Sequence, residues 1–212
     1  MSRNTTTDRA KRKSRLPERV FSRREVAELA GVSLQAIDKA IEQGVLPRQR
    51  RRSETVISEE GFVVMAILGG ASIELPVKVK RLVCRWVSTD RPHAKQGEQA
   101  LQVSDVITVH LSEPVRERVA EAEEYATQRE THIESRPEIL GGQPVIAGTR
   151  IPVHMIAKRL DTGDTIEALR EDYPHVDPRA FEVAARYAKT HPRRGRPVKP
   201  WRPSARQGTS RA

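Results

Sequence analysis

Apolar positions in the first ninety residues recur at helical spacing and are punctuated by residues that cap or stop helices. Val26, Leu29 and Ala30 form the inner face of a first helix capped by Ser22, with Glu25 three residues on completing a capping box. Gly31 makes the turn, Ser33 caps a second helix whose Ile37, Ala40 and Ile41 point inward, and Gly44 ends it. Val45 to Ile57 reads as two short strands around an arginine-rich tip that holds Arg48, Arg50, Arg51 and Arg52. Ser58 then caps a helix in which Phe62, Met65 and Ala66 close a first core. After Pro76, the spacing of Val79, Leu82, Val83 and Trp86 predicts a further helix with Cys84 on its edge. Cys84 reads as a small inert hydrophobe and Trp86 as packing.

The pattern lapses between Thr89 and Ser104, a polar stretch with Pro92 and Gly97 that reads as a linker. Val106 to Leu111 predicts a strand, and Ser112-Glu113-Pro114 opens a long helix with Val115, Val119, Ala122 and Tyr125 on one narrow face. So narrow a stripe on an acidic helix suits the pairing of two protomers as well as the cover of its own core. Val145-Ile146 and Ile151 to Val153 then flank Ala147-Gly148-Thr149-Arg150, where Gly148 supplies the positive φ of a tight reversal. Pro152 suits the first turn of a helix from Val153 to Leu160. Gly163 stops that helix, Asp164 or Thr165 caps the next, and Asp172-Tyr173-Pro174 ends it. Asp177-Pro178 starts a third helix with Phe181, Ala184, Ala185 and Ala188 inward, to about Thr190.

The fold class that follows is mainly α with short β hairpins, in two units: a winged helix-turn-helix over residues 20–88 and, beyond the 89–104 linker, a strand, a long helix and a small helix-turn-helix-like domain over 105–190. With Ile37 and Ile41 buried, the second helix exposes Gln35, Ala36 and Lys39 to a major groove behind the Ser33 cap, and the arginine tip suits phosphate or minor-groove contact. The run Arg23 to Ser33 resembles the helix-turn-helix of MerR-like regulators. The run Pro137-Glu138-Ile139-Leu140-Gly141-Gly142, Pro144-Val145, Gly148-Thr149-Arg150-Ile151-Pro152-Val153, Gly163, Asp172-Tyr173-Pro174 and Tyr187-Ala188 resembles a family of short VapB-type antitoxin domains, over roughly residues 133 to 190. That resemblance implies a partner, a PIN-domain ribonuclease toxin, and repression of the chain's own operon through operator DNA. The long basic tail after the third helix departs from the core domain of that family.

Charge sharpens the picture. The chain is +10 overall, but residues 1–24 and 191–212 carry +7 each, which leaves a mildly acidic body between two basic arms. Residues 1–19 and 191–212 have no apolar period and read as disordered when free, and such arms favour a polyanion or an acidic protein groove. Since a PIN-type active site is a carboxylate cluster that holds a divalent cation, Arg193, Arg194, Arg196 and Arg202, with Trp201 as anchor, are the expected toxin-binding residues. The same cations also suit phosphate.

Enzymatic chemistry finds no support in the sequence. Gly148-Thr149-Arg150 lacks the ending of a phosphate loop, and Asp161, Asp164, Asp172 and Asp177 fall at helix ends where capping suffices. The six histidines include no helical metal-site pair, and the lone cysteine excludes an internal disulfide. No cofactor, catalytic residue, metal site or small-molecule substrate is expected, nor a membrane span or export signal, and a reducing cytoplasm fits. The expected function is a type II antitoxin that binds a PIN-domain ribonuclease and its own operator as a homodimer or higher even oligomer. A stand-alone MerR-like regulator without a toxin is the alternative.

Overall fold

The computed structural model describes residues 19–51, 54–71, 73–90 and 99–193. Those residues are mainly helical, with a few short strands that all pair antiparallel. The first unit opens with β1 (Val20–Ser22), α1 (Arg23–Ala30) and α2 (Leu34–Glu42). The Ser22 hydroxyl accepts from the Glu25 amide at 3.2 Å while the Glu25 carboxylate accepts from the Ser22 amide at 2.6 Å, so the predicted capping box closes in both directions. Gly31 turns the chain at φ 66°, and Ser33 caps α2 by accepting from the Ala36 amide at 3.1 Å.

A hairpin of β2 (Gln49–Arg51) and β3 (Glu54–Ser58) follows, and β1 joins it to give the order β1-β3-β2. The three residues of β1 are too few to show a period, so the sequence hides this third strand. Next come α3 (Glu59–Gly70), whose apolar residues are buried nearly all round, and α4 (Val77–Asp90). On α4 the buried positions are Val83, Trp86 and Val87, whereas Leu82, expected inside, is 37% exposed. Helical phase explains the correction, because Val83 and Val87 lie one turn apart with Trp86 beside them, and Leu82 falls at the rim.

The segment expected as a linker holds the end of α4 and β4 (Ala100–Ser104), which pairs with β5 (Ile107–His110). The long helix α5 (Glu113–His132) buries Val115, Val119, Ala122 and Tyr125, as its stripe predicts. They are covered within the chain, in one cluster with Phe21, Leu29, Phe62 and Val64 of the first unit. Through this face the helix packs into the N-terminal core.

From α5 the chain runs into β6 (Ile133–Glu134), which pairs with β7 (Val145–Ile146). The Thr149 amide donates to the Ile146 carbonyl at 3.0 Å across a turn in which Gly148 has φ 73°, and the Gly148 amide donates to Glu134 Oε1 at 3.0 Å. The expected second strand shrinks to a bridge between Val145 and Pro152. Then follow α6 (Val153–Asp161), α7 (Ile166–Asp172) capped by Thr165, and α8 (Pro178–Thr190) capped by Asp177. Their second core gathers Ile146, Ile156, Leu169, Phe181 and Ala184. Asp164 and Asp172 converge on the Arg159 guanidinium, the latter at 2.6 Å, and their hydrogen bonds raise its pKa.

One buried charge ties α1 to α5. Glu25 is 0% exposed, and its Oε1 accepts from Arg129 Nη1 at 2.7 Å and from the Tyr125 hydroxyl at 3.1 Å. Arg129 also donates to the Val20 carbonyl at 2.9 Å and stacks over the Phe21 ring. Burial opposes the guanidinium's charge, but Glu25 outweighs it and the net pKa is raised. Arg186 of α8 lies over the Tyr125 ring at 5.0 Å and meets Glu121 at 2.5 Å, so α8 is held to the same helix.

Two outcomes follow from this arrangement. Nothing lies within 4 Å of where a β-carbon on Gly148 would project, so Gly148→Val is expected to cost about 1–3 kcal/mol through backbone strain alone. Hydrogen exchange should quicken over residues 133–190 and stay unchanged over 20–70, whereas wild-type protection throughout would refute the strained turn. Tyr187 stacks on His191 at 4.0 Å, and burial, then the charge of Glu25, push its phenol up to about 12. That value lies above the unfolded one of about 10. The stability this phenol contributes is therefore fully present below about pH 10 and is lost as the pH rises through about 12. Phenolate absorbance should show this late step in the wild type and lose it in Tyr187→Phe.

Candidate nucleic-acid interface

The N-terminal turn of α2 stands clear of both cores. Ser33, Gln35, Ala36 and Lys39 are all exposed, while Ile37 and Ala40 are buried beneath them, as the expected reading face requires. Gln35 lies at the crest of that face, since helical phase puts it between Asp38 on one flank and Lys39 on the other. Lys39 is not free. Its Nζ lies 3.0 Å from Glu74 Oε1, in the segment between α3 and α4. The hydrogen bond from Lys39, then the charges of Lys39 and Lys80, hold the Glu74 carboxyl below the usual range. Both partners are exposed, so an incoming phosphate or base edge can exchange for the carboxylate at small cost.

The other flank leads to the hairpin. Arg23 pairs with Asp38 at 2.5 Å, which fixes the first turn of α1 against α2. Arg50 sits opposite Thr55 and Arg51 opposite Glu54, both arginines exposed, and Arg48 is exposed just before β2. Arg52 lies outside the described residues, as do Arg194, Arg196, Trp201 and Arg202. Arg193 is described and exposed.

The structure adds residues that the reading of motifs passes over. Arg23, Arg24 and Arg50 line a groove of about 1200 Å³ together with His154, His191 and Arg193 of the C-terminal unit. Arg23 and Arg24 did carry a signal, because cations in the first turn of a helix oppose its dipole and so call for some other use. His154 carried none, for its neighbour Arg193 comes near it only through the fold. Burial, then the charges of Arg193 and His191, lower the His154 pKa. Among the described residues no group of three or more His, Cys, Asp or Glu side chains is placed to hold a metal ion, and no helix is long and apolar enough to cross a membrane.

The family match falls in the C-terminal unit. Residues 133–188 match the family model described as a protein of unknown function, DUF433. That span runs from β6 to α8 and contains the Gly148 turn. The uncharacterized protein y4eO of Sinorhizobium fredii is 35% identical over 92 residues, 43% of this chain and 41% of that protein. The chain thus spans about two fifths of the length of this relative. A solved structure, Rv2018 from Mycobacterium tuberculosis, aligns over 77% of this chain and 96% of its own at 14% identity, with a TM-score of 0.36, too loose a likeness to establish a common fold.

The two flanks of α2 separate in a binding experiment. Replacing Arg50 and Arg51 by alanine should weaken binding to every duplex and flatten the log-salt slope by about one unit per lost phosphate contact. Gln35→Ala should instead lower the ratio of promoter to random-duplex affinity, with the slope kept. An unchanged slope in the arginine variant would remove the hairpin from the interface.

Proposed function

We propose that the chain is the antitoxin of a type II toxin-antitoxin pair. Its N-terminal winged helix-turn-helix reads operator DNA as in MerR-like regulators, and its C-terminal unit binds and silences a PIN-domain ribonuclease. What carries this reading is the exposed α2 face beside a basic hairpin, on a chain whose second core is built around the Gly-Thr-Arg-Ile-Pro-Val turn. In this reading Gln35 and Lys39 contact base edges, Ser33 and the arginines of the hairpin contact phosphate, and β2–β3 is the wing. The protein acts in the cytoplasm as a homodimer or higher even oligomer, because two-fold operators are read by paired helices. It needs no cofactor and catalyses no reaction.

Silencing follows from charge. An arginine that enters a carboxylate cluster forms charge-assisted, often bidentate bonds there and competes with the divalent cation such a cluster holds. Arg193, Arg194, Arg196 and Arg202 supply those guanidinium groups, with Trp201 as an apolar anchor. All but Arg193 lie in the stretch outside the described residues.

Co-expression with the neighbouring reading frame tests the proposal. A ribonuclease should co-purify with the chain and be inactive on RNA in the complex. Truncation after Thr190 should keep the complex but restore part of the RNA cleavage. A chain that binds its promoter yet retains no ribonuclease would instead be a stand-alone MerR-like regulator.

A further inference from the structure

The groove between the hairpin and the C-terminal unit differs from the rest of the surface in two ways. First, it is rich in cations: Arg23 pairs with Asp38, but Arg24, Arg50 and Arg193 also line it, and none of these three has a carboxylate partner among the described residues. Glu54 is the one acid among the lining residues, and it is engaged in an interaction of its own. Second, the lining contains no Leu, Ile, Val, Met, Phe or Trp, and Gly141 and Gly142 form part of it. Gly141 has no neighbour within 4 Å of where a β-carbon would project, so a ligand can approach the backbone itself.

We infer that this groove holds the phosphate backbone of the duplex read by α2, so that the C-terminal unit, through His154 and Arg193, binds operator DNA directly. This rests on the DNA-binding role proposed above and extends it to a part of the chain assigned there to the toxin. Two features favour nucleic acid over an acidic protein. The groove adjoins α2, because Arg23 in its lining pairs with Asp38 of that helix. Its arginines come from both units, Arg24 and Arg50 from the first and Arg193 from the second, which suits a phosphate strand held between them.

Within the site the roles divide by chemistry. Arg24 and Arg50 meet phosphate oxygens from the first unit, and Arg193 meets them from the second, each with a forked guanidinium that matches the anion. The His154 imidazole lies beside Arg193 and is held below its ordinary pKa by burial and then by the cations around it. A phosphate in the groove offsets the part of that lowering that comes from the cations, which gives a spectroscopic marker of occupancy.

The test uses the full chain with two labelled probes, a duplex of the promoter directly upstream of its own reading frame and a random duplex of equal length. Arg24→Ala and Arg193→Ala are each expected to weaken both duplexes by about 3- to 10-fold and to reduce the log-salt slope by about one unit, with the promoter-to-random ratio unchanged. In the wild type, the His154 proton resonance should titrate at higher pH once the promoter duplex is saturating. Wild-type affinity and slope in both variants, beside a Gln35→Ala variant that still loses discrimination, would overturn the groove site and leave α2 as the reader. Loss of the co-purifying ribonuclease in the same variants, with DNA binding intact, would assign the groove to protein and overturn the inference. Failure of the wild type to bind either duplex would remove the DNA reading, and the groove site with it.

Discussion

A carboxylate that no water reaches sets the terms for the rest of the molecule. Burying the charge of Glu25 costs several kcal/mol unless it is paired and hydrogen-bonded, and three groups do this: the Ser22 amide, the Tyr125 hydroxyl and the Arg129 guanidinium. Two of them stand on α5, 100 residues or more along the chain from their acceptor. Arg129 then reaches on to the Val20 carbonyl, so β1, α1 and α5 share one register. An apolar residue in place of Glu25 would fill the space as well, but would not dictate which turn of α5 faces α1.

That register has a functional consequence. The C-terminal end of α5 runs directly into β6, where the second unit begins, and Arg186 of α8 reaches back to Tyr125, Glu121 and, at 3.9 Å, Glu28 of α1. The second unit thus sits at a fixed place beside the first turn of α1, and His154 and Arg193 come to face Arg24 and Arg50. The inner ends of the two basic terminal segments, at Arg24 and Arg193, thus meet Arg50 at one locally cationic surface, from residues that are far apart in sequence. The exposed face of α2 and the groove beside it are two aspects of one placement.

Much of the local structure was legible because its causes are local. Ser22, Ser33, Ser58, Thr165 and Asp177 cap the helices whose starts they announce, and Gly148 takes the positive φ that its turn requires. The exposure of Gln35 and Lys39 follows from the burial of Ile37 alone. The sequence was silent where the cause is distant. Glu25 reads as half of a capping box, and nothing near it announces Arg129. The β4 strand alternates over five residues only and lies in a polar stretch, so its pairing with β5 outweighs a composition that reads as linker. The α5 stripe was seen, but the residues that cover it belong to the first unit, and no periodicity names a partner.

The central claim is that the Glu25–Arg129 pair fixes α5 on α1, and with it the place from which the chain enters the second unit. A double-mutant cycle in the intact chain, with Glu25→Gln, Arg129→Met and both together, measures this directly through urea unfolding. The account predicts a coupling energy of about 2 kcal/mol or more. Effects that add to within about 0.5 kcal/mol would show that α5 docks on α1 without the pair and would contradict it.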